Sequence, residues 1–389
     1  MISEAKKPIP HSLTVSCCSP RIWLMVAVLQ LNGLLLSHQA HAASTEWKEA
    51  LPGWKYVFPR DHGPHSNFKT EWWYATGNLT DEQGHEYGFQ LTFFRQGILP
   101  GGKPAGSSRF RLSELPFAHF AFTDVGAHTF RSYQISSRGA FGEAGFAIPP
   151  GRMAWLNDWS LAMNDRGDLM LKADTQQQGE ERGVDLKLVE ERAPLIHGVD
   201  GISRKSSKPG HASHYYSLTH LKATGSVIVN GKAHAVSGLV WFDHEWATNQ
   251  LDKGDSGWDW SGLHLSNGDD LMIFQIRDSQ GKPSFLTGTL RTPEGKVQTI
   301  NDLSMTPHDP WKSPHTGGLY PSSWDIKIPS RNLELTLSPK VSDQELVLSP
   351  FAYWEGAVRA KGVKSGTSIT AEGYLEMTGY GGKTLGLGE

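Results

Sequence analysis

The sequence predicts an all-β protein of the sandwich or barrel type, and three observations carry that expectation. Apolar residues recur with period two at Tyr87, Phe89, Leu91 and Phe93, at Leu186 and Leu188, and at Leu333, Leu335 and Leu337, the spacing that places alternate side chains of a strand on one face. Two Asn-Gly pairs, Asn230-Gly231 and Asn267-Gly268, interrupt runs of this kind, which is the turn chemistry of a hairpin. No segment of about 12 or more residues sustains a 3.6-residue apolar period without Gly or Pro, so helices should be few and short.

Taken in chain order, residues 1–42 read as a signal peptide. Lys6, Lys7 and Arg21 form a positive leader, Ile22 to Leu36 is a 15-residue apolar stretch, and Ala40-His41-Ala42 supplies a small-x-small cleavage site. The stretch is shorter than the ~20 apolar residues that span a bilayer, and Gln30 and Asn32 break it. Cleavage after Ala42 leaves 347 of the 389 residues, expected to be periplasmic or secreted. Both cysteines, Cys17 and Cys18, depart with the leader, so no disulfide scaffold is available. Removing Lys6, Lys7, Arg21 and Glu4 from 37 basic and 40 acidic residues leaves 34 and 39. That slightly acidic balance excludes a basic nucleic-acid footprint.

Beyond the leader, Gly97–Ser108 and Val199–Ser213 are rich in Gly, Pro and Ser and are expected as surface loops. Val227–Val229 and Ala233–Val240 flank the first Asn-Gly pair; Leu263, Leu265, Leu271 and Ile273 flank the second. A weak internal echo joins the two halves. Trp73 precedes Gly77 as Trp258 precedes Gly262, a Gly turn follows at Gly84 or Gly268, and Phe89-Gln90-Leu91 answers Phe274-Gln275-Ile276. Read as duplication, this predicts two β-domains, 43–248 and 249–389, each opening with a Trp-bearing strand. Glu71, Trp258 and Glu355 would then meet where the halves adjoin.

Six of the 13 tryptophans beyond the leader fall in three groups: Glu71-Trp72-Trp73-Tyr74, Trp241-Phe242-Asp243-His244-Glu245-Trp246, and Trp258-Asp259-Trp260. On a strand, Trp241, Asp243 and Glu245 share one face, and Phe242, His244 and Trp246 the other. One reading is a core filled by Trp, with the acids paired or solvated. The other is an aromatic pocket holding a titratable group, in which burial raises a carboxyl's pKa. The pairs His62/His65 and His211/His214 lack a third ligand at recognisable spacing, so solvated loops are expected there rather than a metal site. Gly254-Asp255-Ser256-Gly257 matches a serine-protease tetrapeptide, but Trp258 follows where a further Gly is needed. No nucleophile elbow, P-loop or dinucleotide fingerprint is present.

His65–Tyr74 (HSNFKTEWWY), Gly238–Trp246 (GLVWFDHEW), Tyr353-Trp354-Glu355-Gly356 and the closing Gly373–Tyr380 together resemble the carotenoid 1,2-hydratase / AttH-like family. The resemblance spans about Trp54 to Tyr380 and implies two lipocalin-like (calycin) antiparallel β-barrels or half-barrels in tandem. Asp243-His244-Glu245-Trp246 carries the likeness to the hydratases. Glu245 and the Glu71–Tyr74 block are closer to the exported AttH-like branch, which implies an ABC-type export system as partner and carries the loose label of secreted hydrolase.

Hydration of an alkene needs an acid for one carbon and shielding for the cation that forms. Asp243 would donate the proton, and His244 would orient or deprotonate the water. Glu71, Trp72, Trp73, Tyr74, Trp241, Glu245, Trp246, Trp258 and Trp260 would bind the ligand, with no metal or other cofactor. The first reading is an exported protein that binds a hydrophobic isoprenoid or lipid-like ligand, with hydratase chemistry at Asp243 and His244. The second is a non-catalytic lipid carrier or accessory protein of an export system; a secreted hydrolase ranks behind both.

Overall fold

The computed structural model describes residues 46–100, 112–177 and 179–381. The expected signal peptide, and most of the expected Gly97–Ser108 loop, lie outside these residues. Thirteen strands make a first sheet: β1 (Thr70–Asp81), β2 (Glu86–Gly97), β3 (Glu114–Asp124), β4 (Thr129–Ser136), β5 (Ala144–Phe146), β6 (Gly151–Leu156), β7 (Trp159–Met163), β8 (Leu169–Gln177), β9 (Glu180–Glu190), β10 (Leu195–Ile196), β11 (Ser203–Arg204), β12 (Ala212–Val229) and β13 (Lys232–Ala247). Ten make a second: β14 (Asp255–Leu265), β15 (Asp270–Asp278), β16 (Pro283–Arg291), β17 (Val297–Ile300), β18 (Ser304–Lys312), β19 (Leu319–Ile328), β20 (Leu333–Pro339), β21 (Glu345–Leu348), β22 (Phe351–Lys364) and β23 (Thr367–Thr378). The helical content of the described residues is three 3-10 turns: Arg60–His62, Ala140–Gly142 and Pro329–Arg331.

The two sheets share one connectivity. Their orders are β4-β3-β2-β1-β13-β12-β9-β8-β7-β6-β5 and β17-β16-β15-β14-β23-β22-β20-β19-β18. In each, the opening strand pairs with the second strand on one side and the last on the other, as in an up-and-down barrel. No ladder joins β4 to β5 or β17 to β18, so both are half-barrels. The arms of the first still curl inward, since Phe120 of β3 and Trp159 of β7 meet edge to face at 5.7 Å.

The period-two runs fill the hollows. Phe89, Leu91, Phe93, Leu186 and Leu188 lie in the core of the first sheet, and Leu333, Leu335 and Leu337 in that of the second. Asn230 and Gly231 both take positive φ, 50° and 76°, the geometry of a two-residue type I′ turn between β12 and β13. The second hairpin uses a longer loop, Ser266–Asp269, with Gly268 at φ 84°.

β1 and the second half of β13, from Val240 to Ala247, are buried on both faces. One face fills the first half-barrel and the other packs on the second sheet, where Tyr74, Tyr215 and Trp241 meet Trp260, Phe274 and Tyr374. The backbones approach closely at Gly88, where a Cβ would lie 2.6 Å from Tyr374 Oη and 2.9 Å from Ala357 Cβ. The chain passes from the first sheet to the second between Ala247 and Asp255.

The ladders correct the expected sequence echo by one residue. Tyr74 lies opposite Asp243 on the last strand of its sheet, and Trp260 opposite Glu376 on the last strand of its own. Trp72 opposes Phe94 as Trp258 opposes Ile276. The matched pairs are therefore Trp72 with Trp258 and Tyr74 with Trp260. Trp73 faces the core of its own half-barrel, whereas Trp258 faces the joint between the sheets, since a shift of one residue inverts every side chain of a strand.

Candidate active site

Between the sheets lies a cavity of about 70 Å³. The first sheet contributes Trp72 and Tyr74 from β1, Gln90 from β2, Tyr215 from β12, and Asp243 and Glu245 from β13. The second contributes Trp258 and Trp260 from β14, Phe274 from β15, Tyr353 and Glu355 from β22, and Glu376 from β23. Lys205 and Leu251 reach the wall from the connections. Alternation along β1, β13 and β14 is what brings these aromatic and acidic side chains to one surface.

Asp243 is 3% exposed. Tyr215 Oη donates to its Oδ2 at 2.8 Å, Trp241 Nε1 donates to Oδ1 at 2.7 Å, and the Ser217 hydroxyl also donates to Oδ1. Burial raises its pKa and these three donors lower it, leaving the carboxyl at about 7. None of the three is a cation, which would favour the carboxylate, so the lack of solvation that favours the neutral acid is only partly offset. Ser217 is itself fixed by His197, whose Nε2 lies 2.6 Å from its Oγ and whose Nδ1 lies 3.0 Å from Thr289 Oγ1 across the joint.

Three further carboxyls, Glu245, Glu355 and Glu376, share the wall. Glu376 accepts from Trp258 Nε1 at 3.0 Å and is raised to about 7, chiefly by burial. Glu355, fully buried, accepts from Tyr74 Oη at 2.8 Å and is pushed well above the carboxylate range by burial and by Glu376. The cation on the wall is Lys205, 2.8 Å from Glu245; its Nζ also lies 4.3 Å from the Phe274 ring centre. Lys205 comes from the expected surface loop Val199–Ser213, yet it is only 8% exposed. Nothing in a Gly-, Pro- and Ser-rich stretch signals that burial. Trp258 and Glu355 both reach the cavity as expected, and Glu376, which alternates with Tyr374 as Glu355 does with Tyr353, carries the same period-two signal.

The remaining expected residues lie behind the first sheet. His244, on the opposite face of β13 from Asp243, has Nε2 2.9 Å from Glu71 Oε1 and Nδ1 3.0 Å from the Asp61 carbonyl. It cannot reach a water beside Asp243. Glu71 also meets His65 Nδ1 at 2.7 Å and Arg95 Nε at 2.9 Å. Burial would raise this carboxyl, but the charges of His65 and Arg95 and the bond from His244 hold it below its ordinary range. Trp73 stacks on His244 at 4.6 Å and Trp246 on His65 at 3.7 Å. Glu71, Trp73 and Trp246 are thus parts of a packed network, and the expected meeting of Glu71 with Trp258 and Glu355 does not occur. Trp241 supports the cavity as a donor to Asp243 without lining it.

His65, Glu71 and His244 present ligand atoms close enough to surround an ion, but these atoms already bond one another. The expected solvated histidine loops are largely buried. His62 lies 2.6 Å from Tyr216 Oη, and His214 Nδ1 meets the Gly201 carbonyl at 2.8 Å. Ser256 Oγ donates to the Asp278 carbonyl at 2.7 Å, an ordinary strand-edge contact.

Residues 49–380 match the family model described as AttH-like. Among solved structures, the chain is similar to a Nitrosomonas europaea protein provisionally described as an AttH, with 30% identity, 86% of this chain and 99% of that one covered, and a TM-score of 0.74. It is also similar to kievitone hydratase from Nectria haematococca, with 15% identity, 87% and 98% covered, and a TM-score of 0.65; at that identity the likeness concerns the fold. No curated protein sequence matches the chain.

Proposed function

The chain belongs to the AttH-like family, and on that premise we propose that the cavity binds a mainly apolar, unsaturated ligand and that Asp243 adds a proton to its double bond. Water then attacks the cation. The alkene and one water become an alcohol, and the proton lost by the water returns to the Asp243 carboxylate, so no other cofactor is consumed. The observation that carries this reading is a carboxyl held at about 7 by burial, bonded only by neutral donors, on the wall of an aromatic cavity. A proton donor is most effective with its pKa near the working pH. The aromatic side chains of Trp72, Tyr74, Trp258 and Trp260 supply the electron-rich surroundings a cation needs, at roughly 0.5–2 kcal/mol each. With Asp243 serving as acid and then base, the reading needs no part for His244.

Kievitone hydratase, a hydratase by name, shares the fold, which is compatible with this chemistry. The leader-like composition of residues 1–42 supports a site of action beyond the cytoplasm. The test is to incubate the purified protein with membrane lipid extract and identify by mass spectrometry what co-purifies. A ligand that gains one water with the wild type and none with Asp243→Asn is expected. Bound ligand that never changes mass would favour a carrier, and failure to retain any apolar molecule would sink both.

A further inference from the structure

Three buried side chains on the cavity wall have a polar atom without a hydrogen-bond partner: Glu355 Oε2, Gln250 Nε2 and one terminal atom of the Gln90 amide, whose other terminal atom bonds Thr92. Buried polar groups are nearly always paired, so a set of unpaired atoms facing one cavity points to what the cavity receives. Glu355 is the most informative. It is 0% exposed, and Glu376 stands directly opposite it on β23, within about 5 Å at Cβ for such a pair. With three other carboxyls, Asp243, Glu245 and Glu376, on the same wall and no cation among its partners, burial favours its neutral form. Tyr74 donates to Oε1 and Oε2 has no partner in the protein, so an acid proton carried on Oε2 is free to meet a ligand in the cavity. A hydroxyl oxygen can accept that proton, and a hydroxyl can either donate to or accept from the free atom of Gln90.

We propose that Glu355 and Gln90 form a polar anchor that selects an uncharged, mainly apolar ligand bearing a hydroxyl group. The inference rests on the reading that the cavity takes the ligand, and it adds the ligand's class. Limonene and α-terpineol test it, because they share a carbon skeleton and differ by one water, hence by one hydroxyl.

Equilibrium dialysis at pH 7 should find α-terpineol bound roughly tenfold more tightly than limonene, the scale expected when a buried polar group gains or lacks its partner. Glu355→Gln keeps an acceptor for Tyr74 and a donor toward the cavity, so it should keep the preference. Glu355→Leu should bind both molecules alike, and Gln90→Leu should reduce the preference, giving a second variant if the first fails to fold. Equal binding by the wild type, loss of preference in Glu355→Gln, or its survival in both leucine variants overturns the anchor and leaves the cavity reading standing. If neither molecule binds the wild type, the cavity reading itself falls.

Discussion

Substituting Asp243 by Asn probes the proposed acid without needing a substrate. The folded carboxyl keeps its proton to about pH 7, whereas the ordinary value is 3.8. Between those values the native state binds one more proton than the unfolded chain, so stability falls as pH rises through the window and levels off above it. At 1.36 kcal/mol per unit, the roughly 3-unit gap corresponds to about 4 kcal/mol between pH 4 and pH 8. Buried neutral histidines work in the opposite sense. His119 and His62, both lowered to about 3 chiefly by burial, gain stability as pH rises toward 6.5, so the wild-type profile alone is ambiguous. The difference between the two proteins removes the histidine contribution and reports Asp243 together with the smaller effect of its charge on Glu355 and Glu376. Urea unfolding followed by tryptophan fluorescence at half-unit steps should show Asp243→Asn gaining on the wild type by several kcal/mol across the window, with no further change above pH 8. A flat difference from pH 4 to 8 would mean that native Asp243 is already ionised, and the assignment of a proton donor would be lost.

Three further substitutions separate cavity from core. His244→Asn should destabilise the protein by roughly 1–3 kcal/mol in denaturant melts, because it removes one partner of the buried Glu71 while His65 and Arg95 remain, and should leave α-terpineol affinity per folded molecule unchanged; a large loss of affinity would restore His244 to the site. Trp73→Ala should cost about 3–5 kcal/mol with little effect on binding, whereas Trp72→Ala should weaken the binding of apolar molecules measured by dialysis; the reverse pattern would refute the strand parity. Lys205→Met strands Glu245, its partner at 2.8 Å, in a buried position and should cost on the order of 3 kcal/mol in urea melts near neutral pH; a loss under about 1 kcal/mol would show that the pair is not what holds Glu245 in place.

The strands and the aromatic clusters were legible because period-two alternation and Asn-Gly turns are local signals. Leu333, Leu335 and Leu337 needed no tertiary information to be placed on one face. The parity of β13 was equally legible, and it already put Asp243 and His244 on opposite sides. Joining them into one catalytic pair followed the resemblance rather than the strand. What local signals could not supply is which face meets the other sheet, since β1 and β13 carry large aromatic side chains on both faces. That choice depends on contacts between residues such as Tyr74 and Glu355, which are 281 positions apart. Lys205 was hidden for a related reason, as its burial arises from the second sheet covering a segment whose composition reads as loop.

The carboxyls on the wall also bear on whether the protein turns a ligand over or only carries it. An apolar cavity suffices to hold an apolar molecule, and buried acids without counter-charges destabilise the fold above their pKa. Asp243, Glu355 and Glu376 share one wall, and the charge on Asp243 raises both of the others. When Asp243 gives up its proton, Glu355 and Glu376 hold theirs more firmly. The negative charge then stays on Asp243, as far as its three donors can stabilise it. A lone carboxylate in a poorly solvated site is a strong base, suited to recovering the proton from an attacking water. In the proposed hydration the same atoms would release a proton and take it back, a use for the buried acid that the carrier reading does not supply.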